Sequence, residues 1–166
     1  MADVYLAKYN AGGNLQWVKT IKGFTNLSVG GANYGYVQLG IDKNGDIILT
    51  GQYEGSVDLN PDAGVDSVTS TLGQAVFISK FNPNGNFVWG KNIDFYGRDF
   101  MSLDKDGNIY LSGSYSGQND FNPSGVVDSL PWSGFGGGMY FAKYDNNGNL
   151  VWVKGTQGNA FAEAWS

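Results

Sequence analysis

A twelve-residue phrase returns in this chain after an interval of 62 positions. Asp42-Lys43-Asn44-Gly45-Asp46-Ile47-Ile48-Leu49-Thr50-Gly51-Gln52-Tyr53 recurs as Asp104-Lys105-Asp106-Gly107-Asn108-Ile109-Tyr110-Leu111-Ser112-Gly113-Ser114-Tyr115. A second phrase occurs three times, beginning at Val4, Val76 and Met139. Self-similarity on this scale specifies a stacked array of like units, each burying an apolar face against its neighbour. Recurring residues are therefore explained first by the scaffold, and selectivity is sought where the repetition breaks.

Inside each unit the period is that of strands. Val76, Ile78 and Lys80 alternate with Phe77, Ser79 and Phe81, and the next run brings Phe87 and Trp89. Both faces are largely apolar, so the sheet must be packed between two other layers. The intervening turns are Asn10-Ala11-Gly12-Gly13-Asn14, Asn82-Pro83-Asn84-Gly85-Asn86 and Asp145-Asn146-Asn147-Gly148-Asn149. Each places glycine where a hairpin needs positive φ, and Asn or Asp where the side chain can close a local turn. A full unit reads as strand a (35–41), strand b (46–53), strand c (75–81) and strand d (86–92). The short a–b and c–d turns then emerge at one end. The long b–c connection (54–74) and the d-to-next-a connections (21–33 and 94–99) emerge at the other.

Four up-and-down strands followed by a crossing to the next sheet describe a β-propeller blade. The expected fold class is all-β, with propeller blades of four antiparallel strands in an incomplete or open arc. Residues 1–21 supply half a blade (strands c and d), 34–93 and 98–156 are full blades, and 161–166 begin another. Two and a half blades cannot close a ring, which leaves sheet faces and edges open. The missing blades are expected from the same longer chain or from copies of this one, with a fragment favoured because natural ends rarely fall in mid-strand.

Composition narrows the function classes. An apolar share of 42% and an aromatic share of 15% are enough for a packed core. A net charge of −5 is the wrong sign for nucleic acid or anionic lipid, and no apolar run is long enough to span a bilayer. Neither a nucleic-acid partner nor membrane insertion is expected. With no cysteine and no histidine, disulfides, thiolate chemistry, the usual zinc ligand sets and histidine-assisted nucleophiles are excluded together.

The Asp42 and Asp104 phrases, the segments Asp58-Leu59-Asn60-Pro61 and Asp120-Phe121-Asn122-Pro123, and the three phrases at Val4, Val76 and Met139 resemble the bacterial β-propeller repeats called SBBP repeats. The resemblance covers nearly the whole chain apart from the insert near residues 22–33. It implies a secreted or cell-surface protein, often a long one of many domains, and no particular activity. Period and signature argue against the WD-repeat and kelch types.

Trp17, Trp89 and Trp152 share one position of strand d. They suit either an aromatic sugar platform or, as a large side chain repeated in every blade, packing between blades; the second reading is preferred. Lys19, Lys91 and Lys154 are read as charges that protect the outermost strand from edge pairing, and Lys8, Lys80 and Lys143 as solvated structural lysines.

The b–c loops hold the residues with most chemical promise. Asp58, Asn60, Asp62 and Asp66 in one loop are matched by Asp120, Asn122 and Asp128 in the next, and oxygen ligands at alternate positions suit calcium. The same residues suit side-chain-capped turns, so no cofactor is expected unless calcium binds there. Paired carboxylates are also the one route to hydrolysis without histidine, from Glu54, Asp58, Asp62, Asp66, Asp120 and Asp128. Residues that recur with the repeat make poor catalysts, because a catalytic site needs unlike roles from its members. The expected function is a non-catalytic module that binds a glycan or protein ligand through its long-loop face. A purely structural spacer and a carboxylate-dependent glycoside hydrolase are the alternatives. Phe24, Asn26, Trp132 and Phe135, where the repetition breaks, are the candidate ligand contacts.

Overall fold

The structure is a computed structural model that describes residues 2–24, 37–131 and 137–156. These residues form eleven strands and no helix. They are β1 (Ala2–Tyr9), β2 (Leu15–Phe24), β3 (Val37–Ile41), β4 (Ile47–Tyr53), β5 (Ser56–Asp58), β6 (Ser67–Thr69), β7 (Ala75–Phe81), β8 (Phe87–Leu103), β9 (Ile109–Asp120), β10 (Gly138–Tyr144) and β11 (Leu150–Thr156). All pairings are antiparallel, and the sheets curl into an open arc, an incomplete propeller.

The tight turns share one hydrogen-bonding scheme. Asn82 accepts the N–H groups of Asn84 (2.9 Å) and Asn86 (3.1 Å) on its side-chain oxygen, and its backbone carbonyl takes the Gly85 N–H at 2.9 Å. Asn10, Asp42, Asp104 and Asp145 repeat the arrangement, each with a positive-φ glycine three residues on. The recurrence of Asx-x-x-Gly thus has a mechanical cause: the side chain supplies what the reversed backbone lacks.

One expectation fails at the crossing between blades. Residues 94–99 were expected to form a loop, but β8 runs unbroken from strand d of one blade into strand a of the next. Phe87–Ile93 pairs with β7, and residues 94–103 pair with β9. A seven-stranded sheet, ordered β11-β10-β9-β8-β7-β4-β3, therefore folds over along β8. Gly97 permits the close approach, since a Cβ there would come within 1.9 Å of the Ser114 carbonyl oxygen.

Two cores lie between blades. The first joins the β1–β2 hairpin to the β4–β7 face that carries Tyr53, Phe77 and Phe81. The second joins the opposite β4–β7 face, with Ile48 and Ile78, to Ile109, Leu111, Phe121 and Tyr140 of the following blade. Every residue of β4 and β7 is buried, because a core covers each face. In β9 and β10 burial alternates, because only one face is covered.

The repeated lysines and tryptophans sit on those seams. Lys8 donates to the Pro83 carbonyl at 2.8 Å, reaching the c–d turn of the next blade. Lys80 makes the same reach to Asn146, and its Nζ also lies 2.9 Å from Asp46 and 3.6 Å from Asp42. Reading Lys80 as solvated is therefore corrected: it is 5% exposed, a buried clamp between blades. Lys19, expected to guard an edge, pairs with Asp62 across the first seam. Trp17 packs on the Gly85 turn and Trp89 on the Gly148 turn, the inter-blade packing preferred for them.

Candidate functional site

At the loop-rich end, the two b–c connections and the β8 crossover border an open cleft of about 580 Å³. Polar side chains of Thr71, Asp94, Gln118, Asn119, Asp120 and Ser129 line it together with Leu72, Val127 and Leu130. Local structure places them. Asp94 and Asp120 are direct partners where β8 meets β9, which brings two carboxylates side by side at the cleft wall. Asp94 accepts the Thr71 N–H at 3.1 Å and the Thr71 hydroxyl at 2.8 Å, tying the first loop to the crossover. Asn119 donates to the Leu130 carbonyl and accepts the Leu130 N–H at 2.7 Å, tying the second loop back on itself. Of the two cleft amides, Gln118 is exposed and Asn119 is buried.

Beneath this end, between the blades, lies a buried polar cluster. Gln52 donates to Asp99 Oδ1 at 3.3 Å and to the Gly97 carbonyl at 2.7 Å, and accepts from Gln74 at 3.0 Å. Gln38 donates to Asp99 Oδ2 at 3.3 Å and accepts the Met101 N–H at 2.8 Å. Burial pushes the Asp99 carboxyl up from 3.8 to about 6, although the Gln52 hydrogen bond pulls the other way. Burial and then the Asp99 charge raise the Tyr140 hydroxyl well above its ordinary value. Sequence reasoning passed over this cluster. A usable signal was present: Gln38, Gln52, Gln74 and Asp99 stand opposite Phe100, Ser114, Gly137 and Val37 in the other blade, so none of the four recurs.

Of the candidate calcium residues, Asp58, Asn60, Asp120 and Asn122 accept backbone N–H groups of their own loops. Asp58 accepts the N–H groups of Asn60 at 3.1 Å and Asp66 at 2.8 Å, and Asn60 accepts that of Asp62 at 2.9 Å. Asp120 accepts those of Asn122 and Asp128, each at 3.0 Å. The Lys19 hydrogen bond holds Asp62 below its ordinary value. Among the described residues, no group of three or more acidic, His or Cys side chains is placed to hold a metal ion. Of the candidate hydrolytic acids only Asp120 reaches the cleft, and its cleft partner Asp94 was not among them. Asn26, Trp132 and Phe135 lie outside the described residues, as does the Phe24 side chain.

No family model matches the chain. It is similar to an uncharacterized WD repeat-containing protein of Acanthamoeba polyphaga mimivirus, at 27% identity over 179 residues. That match takes in 97% of this chain and 12% of the relative's length. The relative's name carries the repeat class that the spacing argued against, so the match supports a propeller-like repeat fold and leaves the SBBP class as a resemblance.

Proposed function

We propose that this chain is a non-catalytic binding module whose long-loop face takes a glycan. The observation that carries the reading is the cleft between the two b–c loops, whose volume falls in the range of small-ligand sites. Its carboxylates and amides offer the mixed acceptors and donors that hydroxyl groups require, and its aliphatic residues suit the apolar faces of a sugar ring. The WD-repeat relative and the propeller-like scaffold support binding over catalysis. Asp94 and Asp120 each spend oxygens on groups of their own scaffold, which suits positioning more than proton transfer. The resemblance to SBBP repeats supports a place outside the cell. Trp132 and Phe135 follow Leu130 and Pro131, both of the cleft, in the sequence.

A glycan array tests the reading. Binding by the native chain should fall about tenfold in Gln118→Ala, the loss of one hydrogen bond to ligand, and further in Trp132→Ala. Binding to no glycan, or binding indifferent to both changes, would leave the structural-spacer reading in its place.

A further inference from the structure

The seam between blades is built from two unlike halves. The leading half presents, from strands c and d, an aliphatic or aromatic residue, a lysine and a tryptophan: Leu6, Lys8 and Trp17 at the first seam, and Ile78, Lys80 and Trp89 at the second. The receiving half presents aromatic residues from strand c and the Asx-x-x-Gly turn: Phe77, Phe81 and Gly85, then Tyr140, Tyr144 and Gly148. Each tryptophan lies flat enough on its turn that a Cβ on Gly85 or Gly148 would fall 2.9 Å from the ring. Each lysine reaches the second residue of that turn, Pro83 or Asn146.

One copy of each half is left over. On the outer face of the last blade Phe141 is 52% exposed and Trp152 36% exposed, while Lys143 stays over the Tyr110 ring of its own blade. On the outer face of the first hairpin Tyr5 is 69% and Tyr9 60% exposed, and a Cβ on Gly13 would meet nothing within 4 Å. Phe141, Lys143 and Trp152 are the third leading half, and Tyr5, Tyr9 and Gly13 the third receiving half.

We propose that the last blade of one copy of this chain docks on the first hairpin of a second copy, head to tail, with Trp152 on the Gly13 turn and Lys143 reaching the Ala11 carbonyl. The argument for a second copy is continuity: the two open faces continue an interface that the chain already makes with itself twice. Such an interface is heterologous, so each copy uses both faces in turn.

Analytical ultracentrifugation across a wide concentration range tests this, using Phe141→Glu to block the leading face and Tyr5→Glu to block the receiving face. Both positions are exposed, so each variant should keep the circular dichroism of the native chain. Lys143→Ala and Tyr9→Ser are milder substitutes if either does not. The native chain should associate, each variant alone should be monomeric, and an equal mixture of the two should form a heterodimer through the one unblocked pair of faces. A native chain that stays monomeric at every concentration would overturn the proposal. So would association that survives either change, or a mixture that fails to pair, which would point to flanking blades or an unrelated partner as the occupant.

Discussion

Ile78 and Phe141 hold the same place in strand c of two successive blades, yet Ile78 is sealed and Phe141 is 52% exposed. Lys80 and Lys143 differ in the same way, with side chains 6% and 24% exposed. The sequences of the two blades do not produce this contrast; their neighbours do. A propeller blade has no core of its own, and each residue's worth is set by whether another sheet lies against its face. The most direct way to break the comparison is to truncate both members of the first pair. Ile78→Ala should lower unfolding stability by about 3 kcal/mol, transfer and cavity together, while Phe141→Ala should cost less than about 1 kcal/mol. Urea titrations at high dilution, where copies do not associate, make the measurement. Equal losses would mean that the last blade is covered in a way the contact pattern does not show.

The lysine pair sharpens the same contrast electrostatically. Lys80 balances Asp42, whose side chain is 1% exposed, so Lys80→Ala leaves a buried charge without its partner. Its expected cost is about 3 kcal/mol. Lys143→Ala removes a looser, solvent-screened contact, 3.9 Å from Asp104, and should cost far less stability than Lys80→Ala. Thermal melts of the two variants in low and in 0.5 M salt check this. Only the Lys143 contact should fade as salt screens it.

Strands and tight turns were legible because both follow from local chemistry: alternation sets the strands, and Asx-x-x-Gly closes the turns whatever lies beyond. The two-sided burial of β4 and β7 was legible too, since a strand with apolar residues on both faces needs a layer packed against each. The β8 crossover was not. Its run of Asp94, Gly97, Arg98 and Asp99 has loop composition, and what makes it a strand is pairing with Asp120, Tyr115, Ser114 and Gly113 of β9. The cleft shares that fate. Asp94 lies on the crossover and Asp120 at the end of β9, and only the register between those strands puts them together.

Asp99 offers a pH-dependent test, because the cluster around it has no counterpart in the neighbouring blade. Its folded-state value, about 6, lies above the ordinary 3.8, so the folded chain binds this proton more tightly than the unfolded chain does. Above pH 6 the buried charge costs stability in full. The cost is relieved as pH falls from about 6 towards 3.8, and below that it is gone. The difference between those two values corresponds to at most about 3 kcal/mol. Asp99→Asn should therefore be the more stable protein at pH 7, by about 1 to 2 kcal/mol once an amide has replaced one of the acceptors used by Gln38 and Gln52. Its advantage should vanish near pH 4. Asp62 and Asp145 are shifted downwards and act in the opposite direction, so the native-minus-variant difference is the quantity to follow by urea titration. A difference constant from pH 4 to pH 7 would show that Asp99 is not protonated in the fold.

The turn glycines give the smallest contrast and the one most closely tied to the open faces. Gly13 and Gly85 have nearly the same backbone, with φ of 78° and 79°, so alanine should carry the same conformational cost at both, about 1 kcal/mol. What differs is the neighbour, since the Trp17 ring covers Gly85 and open space surrounds Gly13. Gly85→Ala should therefore cost about 1 kcal/mol more than Gly13→Ala in dilute solution, the penalty of pushing the indole off its seat. Raising the protein concentration separates the two further. If Trp152 of a second copy settles on the Gly13 turn, Gly13→Ala should weaken association several-fold while its stability as a monomer stays put, because the methyl group then meets a ring only in the assembled state.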